Sequence, residues 1–434
     1  MEDHRDAYFY WKELGLRDHA CIHIDAHLDV SNLKAPGYVL AQCPEINCGN
    51  FLLPALHEGI LSSLVWVIPL HLPGDESLLD WTRLELQNWL RLDLSDYMSL
   101  RCVDERVEGT LLGKPFTVCF SDQLPHLKAP HVLDIDIDYF LDPDDNLWQS
   151  PPELAGHLLQ LEPAATTIAY SVQGGYTPLR HRHLGPLMRM SLHDPDQADE
   201  VWTELHHDGA DDDVPSHRPD WTRPARLAQL GRFEEAARID PAYRLSAIDR
   251  VSAALMREKY EEARSHLREV ENSTEREFMQ GMIAFRMRRF KLALESWSDL
   301  LGQGLEPDTQ VFLLIQCARA YLETSQFQLA YETLRQAGEL ARNDSEILQL
   351  QARACQGLED YDQAARLYRR AVKVAPRLLE TSQVRLELAQ LYIQNGQTGL
   401  ARRLLRQTLT DDTPGFMKLR AEALTLRLAL GTTV

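Results

Sequence analysis

The chain has no run of about 18 apolar residues, so no stretch of it reads as a hydrophobic membrane span. It also lacks any CxxC pair, and its seven cysteines are odd in number. That pattern argues against a disulfide framework or a thiolate zinc site, and for reduced thiols in a cytoplasm. Cys43 and Cys48 are the closest pair and read as structural or loop residues. The opening residues Met1-Glu2-Asp3-His4-Arg5-Asp6 lack the basic-then-apolar order of a secretory signal. Basic residues are scarce in the first half. Residues 1–220 hold 37 acids against 14 bases, a net of −23, while the remainder carries +3 and the whole chain −20. Such a field repels a phosphate backbone, so neither nucleic acid nor membrane is an expected partner. It suits divalent cations or a cationic substrate, besides forming an ordinary solvated surface.

At 434 residues, 44% of them hydrophobic, the chain has material for two or three packed domains. The first half alternates short apolar runs with helical spacing. Ala20–Ile24, Leu64–Pro69, His131–Ile137 and Thr166–Val172 read as buried strands. Leu78–Leu92 and Pro152–Leu161 read as helices between them. Alternation of this kind predicts an α/β domain, a mostly parallel sheet flanked by helices, over residues 1–195. Residues 196–220 are acidic, with Gly209, Pro215, Pro219 and the run Asp211-Asp212-Asp213, and read as a linker with at most a helical turn near Trp202. Residues 221–434 then repeat an aromatic-x-x-Ala signature: Phe233/Ala236, Tyr260/Ala263, Phe290/Ala293, Phe327/Ala330 and Tyr361/Ala364, with a weaker copy at Gly396–Ala401. The small alanine lets two antiparallel helices approach, and the aromatic fills the gap to the next pair. At close to a 34-residue period these copies resemble tetratricopeptide repeats, which predicts an all-α solenoid with a peptide or protein partner. The same array would also serve to pack on the first domain or to make a dimer, and the oligomeric state is left open.

Two segments place carboxylates where core strands end. In Ala20–Asp29 the apolar run stops and Asp25, His27 and Asp29 follow at every second residue. In His131–Phe140 the acids Asp134, Asp136 and Asp138 alternate with Leu and Ile. Extended backbone puts each set on one side. Ionised carboxylates crowded on a buried face need positive charge among them, and no Lys or Arg accompanies either run. A divalent metal supplies it. Mostly carboxylate with one or two imidazoles is a hard site suited to Mn²⁺ or Mg²⁺. Two such ions sharing a water would furnish hydrolytic chemistry.

Asp25-Ala26-His27-Leu28-Asp29 and Ile135-Asp136-Ile137-Asp138, with Asp142-Pro143 after them, resemble the metal-binding signatures of the ureohydrolases, the arginase and agmatinase superfamily. Glu2-Asp3-His4 before a helix, His23–Asp29, Cys48–Pro54 and Asp134–Phe140 resemble more closely an arginase-related family of peptide arginases. Those enzymes turn arginine side chains of ribosomal precursor peptides into ornithine and urea. The likeness covers roughly residues 1–195. It implies two Mn²⁺ ions, ahead of Mg²⁺ or Fe²⁺: one held by His4, Asp25, Asp29 and Asp136, the other by Asp25, His27, Asp136 and Asp138. His23 and His19 are competitors for the place of His4. The resemblance implies catalytic parts for Asp29 and for Asp134, the latter by orienting a ligand or substrate. Asn50, Gln173, Gly174 and Tyr176 are the expected substrate-binding residues, and the leader segment of an arginine-containing precursor is the expected occupant of the repeats.

The chain departs from the free-arginine enzymes at two places. Leu52 follows Gly49-Asn50-Phe51 where those enzymes carry a proton-shuttling His, and Gln173 stands where a Glu would face the guanidinium. Two further readings therefore stay open: another ureohydrolase-type enzyme acting on a small guanidino or amide substrate, and a non-catalytic adaptor whose repeats do the work.

Overall fold

In a computed structural model of the chain, residues 1–31, 46–90, 92, 94–127, 130–173, 175–206, 218–375 and 378–410 are described. They fall into two compact units, one built on Met1–Asn32, Pro44–Thr82 and Asp93–Glu269, the other on Arg83–Leu92 and Val270–Val434.

The first unit is organised by a sheet of strands β1 (His19–Ile24), β2 (Leu61–Val67), β3 (Arg101–Val103), β4 (Arg106–Leu111), β5 (Lys114–Cys119), β6 (His131–Asp136) and β7 (Ala165–Ala169). Their spatial order is β3-β4-β5-β2-β1-β6-β7. β5, β2, β1, β6 and β7 run parallel, and β3 and β4 are antiparallel additions at one edge. The four strands expected from the sequence are all present as the contiguous parallel run β2-β1-β6-β7, with β7 at one edge, and β5 joins it as a fifth parallel strand. The edge hairpins were not foreseen. Their turns are Asp104-Glu105 and Leu112-Gly113, all four residues at positive φ, which is the two-residue geometry matching strand twist. Without an Asn-Gly or Asp-Gly pair, nothing in the sequence flags them.

Helices of this half are α1 (Asp6–Glu13), α2 (Leu52–His57), α3 (Leu78–Trp89), α4 (Leu94–Ser99), α5 (Pro151–Leu158), α6 (Leu184–His193) and α7 (Pro195–Leu205). α5 starts at a capping box between Ser150 and Glu153, with Pro151 at its first position. Ile22, Ile24, Val65, Val67, Leu133 and Ile135 point to one face of the sheet and join Leu154, Leu158, Leu184 and Met188 in the core. On the other face, toward the carboxyl ends of β1 and β6, His23, Asp25, Asp134 and Asp136 are polar yet equally buried, and they carry the site. The linker reading is corrected at its start: ten of the eleven residues of α7, 196–205, fall in that segment. The Asp211-Asp212-Asp213 run lies outside the described residues.

The repeats form six helix pairs among the described residues: α8 (Thr222–Gln229) with α9 (Phe233–Ile239), α10 (Ala247–Met256) with α11 (Tyr260–Leu267), α12 (Ser273–Arg286) with α13 (Phe290–Leu301), α14 (Pro307–Glu323) with α15 (Phe327–Leu340), α16 (Ser345–Gly357) with α17 (Tyr361–Val374), and α18 (Leu378–Gln394) with α19 (Thr398–Thr410). Each signature aromatic opens the second helix of its pair, and each signature alanine is fully buried. Two residues before each second helix the chain passes through left-handed backbone, at Gly231, Glu258, Arg288, Ser325, Glu359 and Gly396. The next amide then reaches back to a carbonyl five residues earlier, as from Arg289 to Ala284 at 2.8 Å and from Asp360 to Cys355 at 2.9 Å. This left-handed cap ends each first helix and turns the chain into the second. The first two pairs belong to the sheet-bearing unit and the remaining four to the other.

Candidate metal centre

The cluster sits at the carboxyl ends of β1 and β6, adjacent parallel strands in the middle of the sheet. From β1 the chain continues to β2 on one side, while β6 lies on the other, and a crevice at such a switch point is where open α/β sheets place ligands. Asp25 follows β1 directly, Asp136 ends β6, and Asp138 lies in the 3-10 turn Ile137–Phe140. Asp29 adopts φ +52°, a conformation costly for most side chains but better tolerated by Asp.

His4 arrives from the opposite direction. Met1 N donates to Ile168 O at 2.8 Å and Tyr170 N donates to Met1 O at 3.0 Å, so the first residue is laid along β7. Arg182 pairs with Glu2 through both carboxylate oxygens and lies 4.4 Å from the Tyr170 ring centre. These contacts fix the segment just ahead of α1, whose Ala7, Tyr8 and Trp11 are buried, and His4 is left 2% exposed.

Around His4 Nδ1 stand Asp29 Oδ2 at 3.1 Å, Asp136 Oδ2 at 3.2 Å and Asp25 Oδ2 at 3.3 Å. His27 Nδ1 lies 3.0 Å from Asp138 Oδ2 and 3.5 Å from Asp25 Oδ1. Asp25 therefore turns one oxygen to each histidine. All six metal-binding residues expected from the sequence are brought together. Among the described residues, the triads His4–His23–Asp25 and Asp25–His27–Asp138 each hold ligand atoms within 4.8 Å of one another.

His23, an alternative to His4 in the sequence, stands in the first of these triads, its Nε2 3.4 Å from Asp25 Oδ2. Its Nδ1 meets Asp134 Oδ2 at 2.9 Å and its Nε2 meets the His27 carbonyl at 3.0 Å, which occupies both ring nitrogens. His19 stands at the other end of β1, its Nδ1 against the Arg17 carbonyl. Asp134, expected to have a catalytic part, is fully buried below the cluster. It holds His4 Nε2 at 2.9 Å, His23 Nδ1 at 2.9 Å and the Thr167 hydroxyl, and so positions ligands instead of meeting a substrate. The register explains the arrangement: His23 is the cross-strand partner of Asp134, and Asp134 that of Thr167, which makes a polar rung over β1, β6 and β7.

Electrostatics identify what the cluster would accept. Burial opposes charge on His4 and on His27, yet the carboxylates outweigh it: Asp134, Asp136 and Asp25 raise the first well above its usual range, and Asp138 and Asp25 the second. Burial also disfavours ionised Asp134, but His4 and His23 hold it below the usual carboxylate range. Asp136 and Asp138 are pushed up, by burial first and by neighbouring carboxylates second. His4 Nδ1, Asp25 Oδ2 and Asp138 Oδ1 are buried without a hydrogen-bond partner, which is costly unless an ion takes their lone pairs. Oxygen donors with two imidazoles at this spacing fit a pair of hard divalent cations.

Three supporting residues were missed by the sequence reading. Ser171, at φ +47° just beyond β7, donates its hydroxyl to Asp136 Oδ2; Thr167 serves Asp134; and Phe51 packs its ring 4.6 Å from that of His4. Only register and loop closure reveal them, since a lone Ser, Thr or Phe carries no motif. Of the expected substrate residues, Tyr176 is 42% exposed and lies edge-on to His27 at 5.1 Å. Asn50 braces the loop beside the cluster, its side-chain oxygen accepting from Asn47 N at 2.8 Å, while Leu52 N donates to Asp29 O at 3.2 Å. Gln173 is exposed, and Gly174 lies outside the described residues.

Residues 357–414 match the tetratricopeptide repeat family model. That match lies within the helical repeats and leaves the metal cluster untouched. No curated protein matches the chain. Among solved structures, it is similar to MamA, from residue 41 to its end, of Desulfovibrio magneticus RS-1, at 18% identity over 39% of this chain and 91% of that one, with a TM-score of 0.34. It is similar to TTC0263, a thermophilic TPR protein of Thermus thermophilus, at 17% identity over 47% of this chain and 95% of that one, TM-score 0.32. The apo form of RapI is similar at 13% identity over 64% and 80% of the two chains, TM-score 0.32.

Proposed function

We propose that the chain is a two-metal hydrolase of the ureohydrolase kind, acting on arginine side chains of a peptide that its helical repeats hold. The observation that carries the reading is the ring of Asp25, Asp29 and Asp136 oxygens around a His4 nitrogen that makes no hydrogen bond, with His27 and Asp138 beside it. Paired divalent cations, when bound, supply Lewis acidity and a water of lowered pKa. The chain's own residues do the rest. Asp25 offers an oxygen to each position, Asp136 is steadied by the Ser171 hydroxyl, and Asp134 fixes the ring of His4. Tyr176 lines the open side next to His27, which keeps 44% of its side chain exposed.

The overall reaction adds water across the bond between the guanidinium carbon and Nε. Urea leaves and ornithine remains in the peptide. The acidic balance of the first 220 residues supports a cationic substrate, and the slightly basic remainder supports an acidic leader. Repeats that hold the leader would raise the local concentration of the arginines to be processed.

A second reading is favoured by the tetratricopeptide match at 357–414: a repeat-based adaptor in which the cluster binds metal for stability alone. Mass spectrometry of arginine-containing peptides incubated with the chain and Mn²⁺ separates the two. Hydrolysis removes about 42 Da per arginine, abolished by Asp136→Asn, and is the outcome expected of metal-assisted attack. Unchanged peptides under Mn²⁺, Fe²⁺ and Mg²⁺, with binding retained, would favour the adaptor. Urea released from free arginine or agmatine would move the substrate to a small guanidino compound.

A further inference from the structure

The second helix pair of the repeats reaches into the loops that frame the cluster. Arg257 caps the end of α10, its side chain mostly buried. Nε donates to Asp145 Oδ2 at 2.7 Å and Nη2 to Asp145 Oδ1 at 3.2 Å, while Nη1 donates to the Gly175 carbonyl at 2.8 Å. One guanidinium therefore binds two loops at once. The first, from Leu141 to Leu147, follows the turn that bears Asp138, and it is closed by Asp142, which accepts from Asp144 N and Asn146 N. The second follows β7 and carries Ser171, which holds Asp136, and Tyr176, which faces His27.

Gly175 shows how close the approach is. Its φ is +90°, and a Cβ there would stand 2.5 Å from Ala253 Cα, a backbone atom of α10. The helix thus forms a wall against the loop, and only glycine permits it. Arg180 adds a second tie, donating to the Asp145 carbonyl at 3.1 Å.

We propose that Arg257 is a positioning residue for the candidate active site: a repeat helix, through its guanidinium, sets the placement of the Tyr176 loop and of the loop beyond Asp138. The consequence for the proposed function, on which the inference rests, is that the first repeats are part of the site's frame and cannot be removed as a separable binding module. A planar fork with three used donors suits this task, and the single ammonium of lysine does not reproduce it.

The test uses the full chain with Arg257→Met, Arg257→Lys and Asp145→Asn. Amide hydrogen exchange is expected to rise roughly tenfold or more at 143–147 and 175–177 in Arg257→Met and Asp145→Asn, with β1 and β6 still protected. Arg257→Lys is expected to fall between them and the parent. Mn²⁺ content should stay at the parent value, and KM for an arginine-containing peptide should rise roughly tenfold with kcat changed less. Parent-like exchange in both loops of Arg257→Met would overturn the inference. So would loss of protection across β1 and β6, which would make the contact general support for the fold. If the parent chain hydrolyses no peptide, that failure falls on the hydrolase reading, while exchange and metal content still decide the positioning role.

Discussion

At the scale of single residues, most of the six side chains gathered in the cluster were legible because alternation along a strand leaves little choice. An acid at every second position among Ile and Leu is either on the core face or on a metal. What holds those ligands was not legible. Asp134 belongs to the same alternating run as Asp136 and Asp138, and only the register with His23 and Thr167 distinguishes the support from the ligands. Asp134→Asn tests this. Both imidazoles meet the same oxygen, Asp134 Oδ2, while Thr167 donates to the other; an amide removes the negative charge they share and turns an NH2 toward the Thr167 hydroxyl, which weakens the common anchor of the two rings. Mn²⁺ affinity is expected to fall about 10–100-fold, with the circular dichroism of the parent retained, as removal of an outer-shell partner does elsewhere. Calorimetric titration checks it, and parent-like affinity would count against the positioning role.

At the scale of elements, the repeats were read from an aromatic and an alanine, and the structure adds the counterpart that the alanine pattern does not show. Gly281 of α12 lies under the buried Trp297 of α13, where a Cβ would come within 2.1 Å of the indole nitrogen. Gly281→Ala would favour an isolated helix by about 1 kcal/mol. The fully buried indole cannot retreat, and overpacking of this kind costs about 1–3 kcal/mol. The variant is expected to lower the Tm of the repeats by roughly 2–6 °C in calorimetry; an unchanged or higher Tm would contradict the packing.

A second element-scale feature, unforeseen in the sequence, joins α6, α7 and α8. His183 precedes α6, His206 ends α7, and Gln229 Nε2 of α8 lies 3.3 Å and 3.4 Å from their Nε2 atoms. Burial is the first cause that keeps all three histidines here, His181, His183 and His206, below their ordinary range, with His181 at about 4. Arg180 acts in the same sense on His181, and Arg226 on His206. At these three positions the folded chain therefore takes up fewer protons than the unfolded one, whose histidines titrate near 6.5. The stability they contribute is full above that value and declines as pH falls from about 6.5 toward 4. His183→Gln is expected to flatten the fall of Tm over this window relative to the parent, which also isolates it from carboxylate titration. Parallel curves would contradict the assignment.

At the scale of the molecule, the division into an α/β part with a largely parallel sheet and a helical repeat part was legible from periodicity alone. The partition of the chain was not, because loop composition reports on exposure and not on packing. Residues 196–205 look like linker by charge, yet Ala198, Val201 and Leu205 bury one face of α7 against Leu187, Ala225 and Leu227. The first two repeat pairs thereby join the sheet-bearing unit. The account of function rests on the cluster in that unit, and its most direct test is the metal content of the purified full-length chain. After reconstitution with Mn²⁺ and removal of free ion, elemental analysis is expected to find about two ions per chain, and fewer than one in Asp25→Ala, since that carboxylate, which turns one oxygen to each histidine, would serve both positions. Less than about one ion per chain in the parent protein, with its fold intact, would contradict the account.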